Sequence, residues 1–600
     1  MTTTATEKNV LGRECKHAVY VYAQDNRPDD AVFVKEYVYY DDGTRSADLR
    51  MIENLKRPFW VTHPQFRNHQ DKKFEEDIKK VQIYKSKQCN LNAAIGRVLG
   101  YRGQTLAMTC MSPYVYGTDI STPTLVKHSY MKRWPDYNDK KASLNTIAAV
   151  DGETNMFTAE EEPIMFSMTM KERAYLVVAK SFFEGHRDPE REIRDAVAKH
   201  IQHKIDERKI QLEIDFAEND GELCYKLIQK AHEWKPDIMD IWNVNFDIKK
   251  IIESLERHGY NLAQVFSDPS VPERYKYFKY REGKSQKETA SGKFMALHPA
   301  EQWHVVECPA SFYVLDSMCV YLKLRIAGGK EASYKLDDIL KKHGCDGKFK
   351  FEPANHVKDG HWHRFMQERY KAEYCVYNLV DSIALEELDE VTNDLGRQIS
   401  MQSGPSEYSK FPSQPRRTCD DLHFELQEYG YVIGSTGQKT ETELDSYTQS
   451  LKHWIVTLPS HLMADVGTHA VSELPDYATK IYRMVADLDI EGTYPNEQAL
   501  LNIGQNTTMK EVCKVEGLTD RQQRALGINL TGGFTNAVDI CVTTMRAPTM
   551  ETLLRDYRAH LSGIEPEPDP MGSMHEMMAA MMDEIVEESE EDEDEEEIED

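Results

Sequence analysis

Hydrophobic positions along this chain follow two periods, and the changes between them mark out the elements. Asn145-Thr-Ile-Ala-Ala-Val150 is a short apolar run that ends in Asp151-Gly-Glu153. Ile147 to Val150 read as a buried strand, and a period of two sends Asp151 and Glu153 the same way from its end. Apolar runs over 163–170 and 174–179 predict two more strands, followed by a charged helix over 189–208 and another over 221–234. Asp237 to Trp242 reads as a strand leading into a polar turn at Asn243-Val-Asn245. A helix over 248–258 follows, with Gly259 just past its C-terminus. Val314–Tyr321 predicts a strand running into a helix. Ser333–Gly344 predicts a short helix with Ser333 as candidate N-cap, Leu336 and Leu340 on one face, and Gly344 closing it. A helix over 374–391 places Tyr377 and Asp381, four apart, on one face. Three successive strands followed by strands alternating with helices predict an α/β (α+β, multidomain) architecture, a mixed sheet with helices on its faces.

The flanking regions are less regular. His17–Tyr22 and Ala31–Tyr40 read as strands, and Phe74–Ser86 as a basic helical stretch. Lys127–Trp134 and Arg274–Lys284 interleave basic and aromatic residues. In Lys127–Trp134 that composition suits single-stranded nucleic acid, which offers a phosphate track and stackable bases, and equally an ordinary basic surface, while Arg274–Lys284 reads as an exposed hairpin. Gln402–Arg417, rich in Ser, Pro and Gln, predicts a domain boundary. Beyond it, Ile481–Asn496 reads as a strand ending at Asp487-Leu-Asp489, with Tyr494-Pro495 in the following turn. The expected organisation is therefore five segments: 1–144, 145–395, 396–480, 481–562 and an acidic tail, 563–600. Within the tail, Glu565–Pro570 is an extended linker, Met571–Met582 a short Met-rich helix, and Asp583–Asp600 a self-repelling acidic run that is disordered when free.

Charge changes this picture little. The 600 residues carry a net charge of −28, but residues 563–600 hold 18 Asp and Glu and no Lys or Arg, so the remaining chain stands at only −10. A mildly acidic body still accommodates a local basic groove for phosphates. Eleven cysteines, an odd number without a Cys-x-x-Cys pair, predict reduced thiols rather than a disulfide framework or zinc ribbon. The chain has no apolar run near ~18 residues and its first residues lack the apolar core of a signal peptide, so a membrane span is not expected and a cytoplasmic location is.

The candidate chemistry lies in the carboxylates. A site of carboxylates and water without His or Cys suits a hard divalent ion, Mg²⁺ or Mn²⁺. Asp151-x-Glu153, then Asn243-Val-Asn-Phe246-Asp247, then Tyr377-Asn-Leu-Val-Asp381 resemble, in order, the three exonuclease motifs of family-B DNA polymerases. They are separated by 94 residues from Glu153 to Asp247 and 134 from Asp247 to Asp381. Asp487-Leu-Asp489-Ile-Glu-Gly-Thr-Tyr494-Pro495-Asn496 resembles the first palm motif of that family, with Gly492, Thr493 and Asn496 departing from it. The resemblance implies an RNase H-like 3′–5′ exonuclease domain followed by a partial palm. It implies that Asp151 bridges two metal ions, that Glu153 and Asp381 complete the side of the attacking water, and that Asp247 holds the second ion, partly through water. Tyr377 would orient the water, Asn243 and Phe246 would contact the departing nucleotide, Asp489 would be a palm metal ligand, and Tyr494 would lie beneath the incoming sugar. Gly152 stands where the family carries a bulky apolar residue, which predicts looser strand packing.

No second palm carboxylate motif follows Asp489. The chain resembles the N-terminal portion of a split family-B polymerase of tailed bacteriophages, whose second chain brings the fingers, remaining palm and thumb. Expected partners are single-stranded and primer-template DNA, dNTP in the assembled enzyme, that second chain and a sliding clamp, within the cytoplasm of an infected bacterial host. A stand-alone 3′–5′ exonuclease with a degenerate palm, or a non-catalytic DNA-binding or regulatory subunit, are the alternatives.

Overall fold

The computed structural model describes residues 8–434 apart from 25–28, 71, 74, 140, 289–292 and 358–359. Asp489, Tyr494, the palm-like stretch and the tail lie outside the described residues. Met1–Thr436 form one compact unit.

A mixed six-stranded sheet organises this unit. Its strands are β1 (Ile147–Thr154), β2 (Pro163–Met170), β3 (Arg173–Ala179), β4 (Gln211–Ala217), β5 (Ile238–Ile241) and β6 (Tyr313–Asp316), in the order β4-β3-β2-β1-β5-β6. β1, β2 and β3 form an antiparallel meander, while β4 pairs parallel to β3, β5 parallel to β1 and β6 parallel to β5. The parallel neighbours require crossover connections, and helices supply them. α1 (Pro189–Arg208) lies between β3 and β4, α2 (Asp220–Trp234) between β4 and β5 and α3 (Val244–Arg257) between β5 and β6, while α4 (Ser317–Arg325), α5 (Gly360–Arg369) and α6 (Lys371–Thr392) follow β6.

The period of two decides what each side of the sheet meets. Ala148 and Val150 of β1 pack, with Phe166 and Met168 of β2, against Leu223, Leu227 and Ile228 of α2 and Ile248, Ile251 and Leu255 of α3. The alternate positions face the other way, where Met165, Leu176 and Val178 meet Ile193 and Val197 of α1 and Tyr374, Val376, Val380 and Ile383 of α6. Every residue of α6 from Tyr374 to Glu386 is buried. A helix apolar on nearly all sides belongs in the interior, and here it lies between the sheet and α1.

Several expected elements shift. The run 75–86 is not helical: Glu75–Asp77 and Val81–Lys87 are strands joined by a single 3₁₀ turn. Its lysines had outweighed the β-branched and aromatic residues that fix Val81–Lys87 against Lys56–Thr62. The basic-aromatic run at 127–134 belongs to a helix, Thr122–Arg133, in which Lys127 and Tyr130 are buried, and Lys127 donates to the Ser406 carbonyl at 2.6 Å. Lys127 and Tyr130 thus face inward, while Lys132 and Arg133 of the same run are exposed. In 274–284, Tyr275 and Tyr277 are buried and Lys279–Arg281 pairs with Val305–Glu307, whereas the hairpin lies further on, between Gln286–Glu288 and Phe294–Ala296. Gln402–Arg417 is no linker, since Ser403, Ser406, Tyr408 and Phe411 are buried and helix Gln414–Glu428 continues the same unit. Ser333 does not cap the helix Leu336–Lys342, whose N-cap position is Lys335.

Candidate metal centre

β1 extends past its apolar run to Thr154, and its alternation sends Ala149, Asp151 and Glu153 toward α6. On α6, Tyr374, Tyr377, Asn378 and Asp381 fall at i, i+3, i+4 and i+7, so one face of the helix confronts the strand. Ligand oxygens of Asp151, Glu153 and Asp381 all lie within 4.8 Å of one another. Three carboxylates from two elements thus converge at the C-terminal end of β1, and they make a group able to hold a metal ion.

Asp247 reaches this place from the opposite side. The helix α3 begins at Val244 rather than 248, so Asn243 occupies the N-cap position and Phe246 and Asp247 sit in its first turn. Asp316, itself the N-cap of α4, accepts from the Val244 N–H at 2.9 Å and from the Cys319 N–H at 2.9 Å, which pins the turn. A Cβ placed on Gly152 would stand 3.1 Å from Asp247 Oδ1 and 2.2 Å from the Phe166 ring. Asp247 therefore lies against the backbone of β1, outside the three-carboxylate group. The expected loosening at Gly152 does not occur, because Phe166, paired across the strand from it, fills the space a side chain would take. Phe246 is 42% exposed beside this site and Asn243 is half-buried.

Lys348 completes the cluster. It follows Gly347, whose φ of +77° makes the turn, and its backbone N–H donates to Asp337 Oδ1 at 3.1 Å. Its ammonium donates to the Tyr377 hydroxyl at 2.9 Å and pairs with Asp381 Oδ2. Asp381 Oδ1 stays buried without a hydrogen-bond partner. Behind the carboxylates, the Tyr374 hydroxyl donates to Glu153 Oε2 and Asn378 Nδ2 donates to Asp151 Oδ2 at 2.8 Å. Trp362 and His363 of α5 pack on Tyr377, with ring centroids 4.9 and 5.8 Å away.

Burial and mutual repulsion set the charge state of the metal-free cluster. Burial, then Asp381 and Glu153, raise Asp151 well above the usual carboxylate range. Burial, with Glu153 and Asp316 adding to it, pushes Asp247 up to about 8. Burial raises Asp381 to about 6, with Lys348 opposing. Burial alone would lower Lys348, but Asp381 and Asp151 outweigh it and hold the ammonium above its ordinary value. One lysine cannot neutralise four carboxylates, so the group takes up protons or a cation. The orphaned Asp381 oxygen and the all-oxygen donor set fit a metal ion.

The structure brings together Asp151, Glu153, Asp381 and Tyr377, sets Asp247 across the strand from them, and shows Phe246 exposed nearby. Lys348, Tyr374, His363 and Asn378 were not singled out from the sequence. The helical spacing of Tyr374 and Asn378 from Tyr377 and Asp381 carried a signal for two of them; an irregular loop carried none for Lys348. No helix among the described residues is long and apolar enough to cross a membrane. No protein-family model matches the chain, and no curated protein shows significant similarity to it.

Proposed function

We propose that this chain is a metal-dependent 3′–5′ DNA exonuclease of RNase H-like fold and the N-terminal subunit of a split family-B DNA polymerase, using Mg²⁺ or Mn²⁺. The observation that carries the reading is the position of the carboxylates. Asp151 and Glu153 leave β1, the strand at which the antiparallel meander β1-β2-β3 meets the parallel pair β5 and β6, Asp381 descends from the helix covering it, and Asp247 opens the helix after β5. The mixed order β3-β2-β1-β5-β6, with β4 at one edge, supports the RNase H-like reading.

Bound divalent ions would lower the pKa of a water and stabilise both the attacking and the leaving oxygen of a phosphodiester. Asp151, Glu153 and Asp381 would supply ligand oxygens, and Asp247 would act from the far side of Gly152. The Tyr377 hydroxyl accepts from Lys348 and lies against the Asp381 carboxylate, where it would help to orient a water at the cluster. Lys348, a third exposed at the mouth, presents charge-assisted N–H donors to a phosphate oxygen. The exposed ring of Phe246 offers a stacking face for a terminal base.

The test uses the full chain with 5′-labelled single-stranded DNA. Products should shorten stepwise from the 3′ end with Mg²⁺ or Mn²⁺, and the Asp151→Ala, Glu153→Ala double variant should abolish this. Metal-dependent digestion retained by the pure double variant refutes the site. Primer extension should require a second polypeptide carrying the missing palm and fingers; extension by this chain alone refutes the split reading.

A further inference from the structure

The carboxylate of Glu153 is held by a hydroxyl whose every hydrogen-bonding position is used. Tyr374 donates to Glu153 Oε2 and accepts from Gln367 Nε2 at 3.3 Å, and with its one proton on Glu153 it accepts from His363 Nδ1, 2.9 Å away, in the tautomer that protonates that nitrogen. A tyrosine hydroxyl has one proton and two acceptor lone pairs, so this set saturates it. The orientation of Gln367 is fixed by backbone at both ends. Its Oε1 accepts from the Met156 N–H at 3.0 Å and its Nε2 donates to the Thr154 carbonyl at 2.8 Å. With Gln367 Nε2 donating, Tyr374 has its proton left for Glu153.

The surroundings keep that proton in place. Phe182 and Trp362 lie against its ring at 6.4 and 6.2 Å, and Tyr377 stacks almost parallel to it at 5.8 Å. The aromatic wall leaves the hydroxyl little freedom to turn away. One oxygen of Glu153 is thereby committed to Tyr374.

We propose that Tyr374, braced by His363 and Gln367 of α5, is a positioning residue that presents Glu153 to the metal through a single oxygen. This deepens the exonuclease reading and rests on it for the identity of the cation. Tyr374 touches neither substrate nor metal; it acts by fixing a ligand. Partners of this kind typically govern metal affinity by about 10–100-fold when removed. The same logic places α5 in the site: the helix reaches the carboxylates only through Tyr374, apart from His363 Nδ1 at 3.6 Å from Glu153 Oε2.

The test measures Mn²⁺ binding by calorimetry and paramagnetic resonance on the full chain, with nuclease assays alongside. Tyr374→Phe keeps the ring and deletes only the hydroxyl. It should weaken Mn²⁺ binding by about 10–100-fold, leave the near-ultraviolet circular dichroism unchanged, and recover nuclease turnover as Mn²⁺ is raised to saturation. His363→Asn, which keeps a donor close to the Nδ1 position, should bind Mn²⁺ more tightly than His363→Ala. Parental Mn²⁺ affinity in Tyr374→Phe, or His363→Asn no better than His363→Ala, overturns the proposal. Parent protein that binds Mn²⁺ but does not digest DNA defeats the exonuclease reading alone, and the affinity comparison still decides the role of Tyr374.

Discussion

Replacing Gly152 with alanine adds one methyl group where the structure has no room for it. The new Cβ would stand 2.2 and 2.6 Å from two carbons of the Phe166 ring and 3.1 Å from Asp247 Oδ1. Carbon atoms settle at ~3.5–4.0 Å, so the ring must retreat by more than ~1 Å. Phe166 is 1% exposed and packed against α2 and α3, so retreat means overpacking a filled core. Overpacking costs about 1–3 kcal/mol. The lost backbone freedom of glycine in the unfolded chain returns about 0.4–1 kcal/mol, so a net loss centred near about 1.3 kcal/mol, within a span of roughly 0–2.6, is expected. Urea unfolding followed by fluorescence reads this loss directly. Nuclease turnover should fall as well, because Asp151 and Glu153 flank the displaced backbone and a ~1 Å misplacement can cost a hundredfold. Combining Gly152→Ala with Phe166→Leu frees the space and should return a coupling of at least about 0.5 kcal/mol in the double-mutant cycle. Parental stability in Gly152→Ala, or the same penalty with and without Phe166→Leu, refutes the packing account.

Lys348→Met should slow digestion by about 10–100-fold, the value of a charge-assisted hydrogen bond at about 1.5–3 kcal/mol, while Mn²⁺ still binds; unaltered turnover removes Lys348 from the chemistry. Asp247 has its proton affinity raised to about 8 in the fold, so between about pH 6.5 and 8 the folded chain holds a proton that the unfolded chain has lost. Metal-free stability should therefore fall as pH rises through that window, by at most about 1.4 kcal/mol per pH unit for that proton. The buried His17, His128 and His423, lowered to about 4, act below this window. Urea midpoints at pH 6.5 and 8 should show a smaller slope in Asp247→Asn, and an unchanged slope assigns the proton elsewhere.

The residues legible in the sequence were those whose spacing fixes direction whatever the tertiary fold. Alternation sets Asp151 and Glu153 on one side of a strand, and a separation of four sets Tyr377 and Asp381 on one side of a helix. Tyr374 and Asn378 obeyed the same helical rule one turn earlier, but nothing in their own chemistry distinguishes them from core residues. Lys348 depends on the left-handed turn at Gly347 and the anchor at Asp337, contacts that no local period encodes. The partner of Gly152 could not be read at all, because it is set by the register of β1 against β2, a long-range pairing. In the run 75–86, charge was read before period, and the helix expected there proved to be two strands.

The burial of α6 ties the metal ligands to the heart of the molecule. Asp381, with its neighbours Asn378 and Tyr374, belongs to a helix buried from Tyr374 to Glu386, and β1 is paired with β5 over Ile147–Val150 and with β2 over Ala149–Thr154. Backbone amides in such a segment exchange with solvent chiefly through opening of the whole unit. Loss of metal affinity on heating would then coincide with collapse of the fold rather than precede it, and bound Mn²⁺ would serve as a built-in thermometer for the integrity of the unit.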